Sequence, residues 1–358
     1  MRTPGMAVAT ALLGAMLFPA SDAISQPALP LAEAPKDLQA AVDKTIRAGM
    51  DYLYSRQNAD GSWGAAPQEA EVQTPAAAYA LLDVGVSPQD PRLDKALLWM
   101  CQTPARSARA RALRCLAWAR ADRSTGGKYA KFLDKDLEAM IKSLPAPGGP
   151  VNLAELAWLS AGIMSSEVVN NAEIPSAAFR RMLELWQTSQ GRDGSWTSQG
   201  SNDLALTAAG TWGMERAFGL AHLSTFVRAG AVKPLPQARQ AEQWMRLNFK
   251  PMLAANVPTA ERVDSLFWAV WMCGEQGEWT IDGEDVGRLA AREILRMQGR
   301  DGAWGGGGDS VPATAQALAV LSKMKEGFAF THLRYEGDWN NRPHAVANLT
   351  RWMTYHIL

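Results

Sequence analysis

The chain has 358 residues, of which 47% are hydrophobic and 20% charged, so it can bury a large core as one domain. Its 36 basic residues are balanced by 36 acidic residues, which argues against a general nucleic-acid-binding protein. Three cysteines, Cys101, Cys115 and Cys273, are too few for a disulfide framework, so we expect side-chain packing to hold the fold together.

The N-terminus has the pattern of a secretory signal peptide. Arg2 precedes an apolar stretch over residues 6–20, which is too short to span a membrane, and a small-residue cleavage pattern ends at Ala23. We therefore expect residues 1–23 to be cleaved near Ala23 and the mature protein to be exported to the periplasm or the extracellular space. Residues 24–35 contain three prolines and are interpreted as a linker, and no other segment is predicted to cross a membrane.

Helical periodicity dominates the next 290 or so residues, because apolar residues recur three and four positions apart between capping and helix-breaking residues. Twelve helices are predicted, over residues 36–57, 72–85, 91–103, 106–122, 130–143, 152–166, 174–189, 203–229, 236–248, 258–274, 284–298 and 311–325. Together they predict an all-α domain over residues 36–326.

A seven-residue pattern occurs three times, each time at the end of a predicted helix: Gln57–Trp63, Gln190–Trp196 and Gln298–Trp304. The copies share a glycine after the Asp, and their other shared positions are Gln57, Asp60, Trp63, Gln190, Asp193, Trp196, Gln298, Asp301 and Trp304. Trp63 and Trp304 lie 241 residues apart, which over five repeat steps is about 48 residues per helical hairpin. The spacing predicts six stacked hairpins, of which the second, third and fifth have lost the pattern.

The chemistry of the pattern is that of a fixed turn. Asp-Gly favours a tight turn, because glycine adopts positive φ angles without a Cβ clash. We expect the glutamine amide to satisfy carbonyl groups at the end of its helix, with the tryptophan ring covering it. Thr74 is predicted to be the N-cap of the following helix, with Pro75 at its first position.

The Q-x-x-D-G-S-W pattern resembles the repeat of squalene-hopene cyclases and their relatives. This resemblance implies an α/α toroid of six helical hairpins, in which six outer and six inner helices surround a central cavity. Protein prenyltransferase β subunits and the thioester domains of complement-like proteins share that fold. The resemblance therefore implies an architecture and leaves the activity open.

The catalytic motifs of these relatives are missing from the sequence. The strings nearest to the D-x-D-D acid segment of cyclases lie at residues 134–137 and 282–285, and the second is interpreted as capping of an outer helix. The magnesium-binding D-D-x-x-D pattern is absent. Three of the four histidines lie beyond the predicted toroid: His332, His344 and His356. His222 has no cysteine or acid at helical spacing, so we expect no metal centre and no cofactor.

A minor alternative comes from Cys273-Gly274-Glu275-Gln276. In complement-like proteins the same tetrapeptide forms a thioester between the Cys sulfur and the Gln side chain. Here it ends a predicted helix, whereas the resemblance implies a position at the start of one. Gly274 and Gly277 are therefore interpreted as C-cap residues.

Candidate cavity-lining residues share faces of three predicted inner helices. Each set holds an acid and a tryptophan or threonine three or four positions apart, and the residues are Glu155, Trp158, Asp203, Thr207, Asp264 and Trp268. Such a lining suits a polyprenyl or sterol-like ligand and can stabilise a cation. The alternative is that the tryptophans are core residues and the acids cap helices.

Basic residues cluster between positions 106 and 131, where Asp122 is the single acid. This cluster is predicted to be the solvated face of an outer helix, with a phosphate or anionic-lipid site as the alternative.

Residues 327–358 depart from the helical pattern. A strand is predicted over 328–335 and a helix over 344–357. The string L-R-Y-x-G-D-W-N-N-R-P resembles the opening of a bacterial domain of unknown function that follows such toroids. The resemblance implies the truncated start of a second, α/β-like domain.

Two classes of function remain open. The missing catalytic motifs favour an exported scaffold of the cell envelope that binds a hydrophobic small molecule or an envelope protein. The alternative is an enzyme that acts on a polyprenyl, triterpenoid or glycan substrate in the central cavity.

Overall fold

The computed structural model describes residues 38–146, 148–170, 174–198, 203–221, 235–276, 280–281, 284–306 and 310–330. The predicted signal peptide, the predicted linker and most of the predicted second domain lie outside these ranges. Within the ranges, every helix is too short or too polar to span a membrane.

Twelve helices are found among the described residues, in the order that the sequence predicts. They are α1 (Leu38–Ser55), α2 (Pro67–Asp83), α3 (Pro91–Gln102), α4 (Ala108–Thr125), α5 (Ala130–Ser143), α6 (Leu153–Asn170), α7 (Ser176–Ser189), α8 (Asp203–Ala221), α9 (Pro236–Ala254), α10 (Thr259–Gln276), α11 (Val286–Met297) and α12 (Ser310–Phe330). A two-residue ladder pairs β1 (Thr280–Ile281) antiparallel with β2 (Glu284–Asp285) between α10 and α11.

The even-numbered helices form a closed ring. Each packs against the next, from α2 through α4, α6, α8 and α10 to α12, and α12 packs in turn against α2. The odd-numbered helices lie outside this ring. Helices α3, α5, α7, α9 and α11 pack against their neighbours in the chain, and α1 packs against α12 and α11. The predicted α/α toroid of six hairpins is therefore confirmed.

The inner helices all run in the same direction, since residues at equivalent positions meet. Gln316 and Asp264, the seventh residue of α12 and the sixth of α10, are hydrogen-bonded. Arg120 and Asp83, near the C-terminal ends of α4 and α2, form an ion pair. Each outer helix thus returns the chain to the end of the ring at which the next inner helix begins.

Composition explains which helices are inside. The inner helix α8 is buried without interruption from Leu204 to Met214, and much of that stretch is Ala, Gly and Thr. Small residues permit close approach: a Cβ on Gly210 would lie 2.6 Å from the ring of Trp196. The outer helix α7 instead buries one apolar face, as expected of a helix between a core and solvent.

The C-terminal prediction is wrong where it can be compared with the structure. Helix α12 continues to Phe330, so residues 328–330 are helical and do not start the predicted strand. The aromatic residues there fit the continuing helix as well as a strand, and short apolar runs do not distinguish the two. The remainder of the predicted strand and the helix over 344–357 lie outside the described residues.

Candidate functional site

The three repeat turns connect neighbouring outer helices. In the first copy Gln57 Nε2 donates to the carbonyl oxygens of Gly61, in its own turn, and Arg92, in the first turn of α3, both at 2.9 Å. Gln190 bonds in the same way to Gly194 and to Gln237 of α9. The glutamine therefore joins its turn to the next outer helix, and the prediction that it satisfies its own helix end is wrong.

The third copy closes the ring. Gln298 Nε2 donates to Gly302 O and to Thr45 O on α1, at 3.0 and 3.1 Å. Gly302 has φ +87°, and a Cβ at this position would lie 2.4 Å from the carbonyl oxygen of Ala48 on α1. Only glycine fits this contact without strain.

The repeat tryptophans lie between outer and inner helices. Trp63, Trp196 and Trp304 are fully buried, and each indole N–H donates to a carbonyl of the preceding outer helix at 2.6–2.9 Å. The backbone N–H of each donates to a threonine hydroxyl of the following inner helix, and the threonines are Thr74, Thr207 and Thr314. The turns are therefore structural.

The prediction of Thr74 as an N-cap is wrong, because α2 begins earlier, at Pro67. Thr74 and Pro75 lie inside the helix, where the Thr74 hydroxyl serves Trp63. Thr207 has the same role for Trp196, so it belongs to the repeat and not to the interior cluster described next.

Five aromatic rings meet inside the ring of inner helices. Trp158 of α6 lies 5.2 Å from Trp268 of α10, and Trp212 of α8 lies 5.0 Å from Trp271, measured between ring centroids. Phe267 contacts Trp158, Trp268 and Trp271 at 5.2–6.0 Å. We call these five residues the aromatic cluster. Helix α8 stands between α6 and α10 in the ring. The contact between Trp158 and Trp268 therefore crosses the inner face of α8.

Asp264 borders the aromatic cluster one helical turn before Trp268. Its partly buried carboxyl accepts a 2.6 Å hydrogen bond at Oδ1 from Gln316 Nε2. Burial raises the pKa of Asp264, and the Gln316 hydrogen bond and the positive charge of Arg109 offset only part of the increase. The carboxyl is thus biased toward its protonated form.

Arg109 acts electrostatically on Asp264 from α4, on the opposite side of the ring from α10. It lies at the start of α4, and its guanidinium carbon is 5.1 Å from the centroid of the Trp158 ring. The prediction that the basic cluster is a solvated outer face is therefore wrong for its part on α4, because α4 is an inner helix, whereas Lys128 and Lys131 lie outside α4 and are exposed. Arg114 and Arg120 of the same helix form ion pairs with Asp136 and Asp83.

The other predicted cavity acids lie apart from Asp264. Glu155 is exposed in the first turn of α6, where its backbone N–H donates to Asn152 Oδ1. Asp203 is the first residue of α8 and is partly buried. Of the six predicted residues, the structure brings together Trp158, Asp264 and Trp268.

The sequence prediction missed Arg109, Gln316, Trp212 and Phe267. The inward position of Arg109 could have been predicted. Outer and inner helices alternate along the chain, so the fourth predicted helix, which contains Arg109, had to be an inner one. Gln316 carried no local signal, because its role depends on the closure of α12 against the rest of the ring.

The tetrapeptide of the thioester alternative lies entirely within α10, which ends at Gln276. Cys273 is fully buried, and Gly274 continues the helix, so its interpretation as a C-cap is wrong, whereas Gly277 lies outside the described residues. Among the residues that the structure describes, no group of three acids, histidines or cysteines could hold a metal ion.

Solved structures of type II terpene cyclase MstE from Scytonema have the same fold. A variant of that enzyme in complex with geranylgeranyl dihydroxybenzoate, its substrate, is 14% identical at a TM-score of 0.51, over 80% of this chain and 98% of the other. The ligand-free enzyme is 15% identical at a TM-score of 0.52, over 82% and 99%. The chain therefore has a terpenoid cyclase-like toroid fold. No family model and no curated protein sequence matches it.

Proposed function

We propose that this protein is an enzyme that acts on a polyprenyl substrate inside the ring, with Asp264 as the proton donor. The observation that carries the proposal is the position of Asp264, a carboxyl with a raised pKa beside Trp268 and within reach of a neutral amide. A perturbed carboxyl against an aromatic wall is typical of acid catalysis.

The proposed step transfers one proton. The O–H bond of the Asp264 carboxyl breaks as the π electrons of a substrate double bond form a new C–H bond, which leaves a carbocation and a carboxylate. The aromatic cluster stabilises the cation through its ring faces. Arg109 stabilises the carboxylate. The product cation later loses a proton to water, and water returns a proton to Asp264, which completes the reaction.

The fold supports this proposal over the scaffold that the missing motifs favour. The enzyme with the same fold is a type II terpene cyclase, whose bound substrate carries a geranylgeranyl chain. This chain lacks a D-x-D-D segment, so its acid has different neighbours: Glu261 one turn before it and Gln316 across from it. We therefore do not assign the substrate or the product of that cyclase to this chain.

One observation favours a second candidate, a non-catalytic scaffold. The five rings of the aromatic cluster are each at most 8% exposed, so a bound chain has to replace some ring-to-ring contacts. A scaffold needs no such rearrangement. Export remains part of either proposal, since residues 1–23 have the pattern of a signal peptide.

The test is turnover of geranylgeraniol and geranylgeranyl phosphate by the purified full chain, followed by mass spectrometry of the products. We expect cyclised or isomerised products from the wild type and a loss of at least about a hundredfold in Asp264→Asn, since an amide cannot donate the proton. Asp203→Asn is the matched control and should retain activity. Equal activity of Asp264→Asn and wild type, or no product with any substrate, would contradict the proposal.

A further inference from the structure

A second polar group lies nearer the C-terminal ends of the inner helices. Lys323 Nζ of α12 lies 5.9 Å from the centroid of the Trp271 ring. Ser322 Oγ donates to the backbone oxygen of Asp83 at the end of α2, so α12 and α2 are joined here. Asp83 Oδ1 also forms a 2.6 Å ion pair with Arg120 of α4. Helices α2, α4, α10 and α12 all contribute to this group.

The indole of Trp271 differs from those of the repeat tryptophans. Trp63, Trp196 and Trp304 each donate the indole N–H to a backbone carbonyl. Trp271 is only 8% exposed, and its Nε1 has no hydrogen-bond partner among the described residues. Burying an unpaired N–H is unfavourable, so an acceptor from a ligand would satisfy this donor.

The groups around this donor prefer a negatively charged acceptor. Lys323 brings a positive charge to the face of the same ring. Lys323 also acts electrostatically on Tyr79 of α2, whose pKa burial and the Asp83 carboxylate raise to about 12, so its hydroxyl keeps the proton that it can donate. The negative charge of Asp83 is itself paired with Arg120. An indole N–H, an ammonium group and a phenol hydroxyl are all donors, a set that suits phosphate or carboxylate oxygens.

This donor group lies at a distance from the proton donor. Trp271 follows Asp264 by seven residues on α10, and Lys323 follows Gln316 by seven on α12, which is roughly 10 Å along each helix axis. Phe267 and Trp268 of the aromatic cluster lie on α10 between Asp264 and Trp271. We propose that Trp271 and Lys323 bind the anionic head group of an isoprenoid whose chain lies along the aromatic cluster, an inference that rests on the proposed function.

The experiment measures binding of three probes to the full chain by isothermal titration calorimetry. Geranylgeranyl phosphate and geranylgeranoic acid carry the two anionic head groups, and geranylgeraniol is their neutral counterpart. We expect Trp271→Phe and Lys323→Met each to weaken binding of the anionic probes by about tenfold, the loss of about one charge-assisted hydrogen bond. Binding of the alcohol should stay unchanged. Trp244→Phe, at a partly buried tryptophan of the outer helix α9, is the control for loss of an indole outside the proposed site.

The outcomes separate this inference from the proposed function. Equal weakening of all three probes, or none, would overturn the head-group site even if the wild type converts geranylgeraniol. Circular dichroism and the thermal midpoint show whether each variant is folded, and Trp271→Phe keeps an aromatic ring for that reason. If the anionic probes bind through Trp271 and Lys323 but Asp264→Asn is as active as wild type, the site stands and the proposed proton donor is wrong.

Discussion

Asp264 differs from the buried carboxylates Asp83 and Asp136 in the partner that holds it. Asp83 and Asp136 are paired with Arg120 and Arg114 at 2.6 and 2.7 Å. These ion pairs join neighbouring helices, α2 to α4 and α4 to α5. Asp264 is held by the neutral amide of Gln316, which permits the carboxyl to gain and lose a proton without breaking an ion pair.

The raised pKa of Asp264 predicts how stability depends on pH. The folded protein holds this proton to a higher pH than the unfolded chain, in which the pKa is near 3.8. Its contribution to the free energy of unfolding is therefore fully present below that value and is lost as the pH rises through the folded pKa. We expect the thermal midpoint of wild type to fall relative to that of Asp264→Asn over this range, measured by calorimetry at a series of pH values. A constant difference would contradict the raised pKa.

At the scale of the helix pair, the repeat tryptophan joins three elements: the outer helix before it, the inner helix after it and its own turn. Trp196 bonds Trp186 O of α7 and Thr207 of α8, and its ring lies against Gly210. A single residue, through its side chain and its backbone N–H, thus holds the two helices and the turn together.

Truncation of this side chain should be costly. We expect Trp196→Ala to lower the free energy of unfolding by about 3–5 kcal/mol, as large-to-small changes of buried aromatic residues do. Urea denaturation followed by circular dichroism measures the change. Trp244→Ala, at a partly buried tryptophan of α9, is the comparison and should cost clearly less. Equal losses would mean that the repeat position is not a special one.

The helices could be predicted from sequence, but their contacts could be predicted only in part. Periodicity located all twelve, because each buries a face and ends at breaker residues. The predicted start of α2 was wrong, because the helix begins at Pro67. The Thr74-Pro75 pair inside the helix has the same residue pattern as an N-cap followed by proline. Asp264 and Trp268 share a helix face that sequence can show, whereas their meeting with Gln316 and Trp158 depends on how the ring closes.

For the whole molecule, the contact between α11 and α1 is the seam at which the two ends of the ring meet. Gly302→Ala introduces a Cβ against Ala48 O at a residue with φ +87°. Gly85→Ala is the matched control, since φ there is +96° and nothing lies within 4 Å of the added Cβ. In both variants, placing a non-glycine residue at a positive φ lowers the free energy of unfolding by roughly 1–3 kcal/mol.

We expect Gly302→Ala to lose more stability than Gly85→Ala, by at least about 1 kcal/mol, because only the former separates α11 from α1. Hydrogen exchange should show faster exchange of the α1 amides in Gly302→Ala alone. Similar stability and exchange in the two variants would mean that the seam tolerates the added methyl group.

The seam is built like the junctions elsewhere in the ring: Gln298 reaches Thr45 as Gln57 reaches Arg92. Helix α12 also ends on the side of the ring where α1 begins, because each outer helix reverses the direction of the chain. The ring therefore has no structural first hairpin. A linker from Phe330 to Leu38 and new ends in the turn between α5 and α6, which lacks the repeat, would give a circular permutant with the same inner ring and the same three repeat turns.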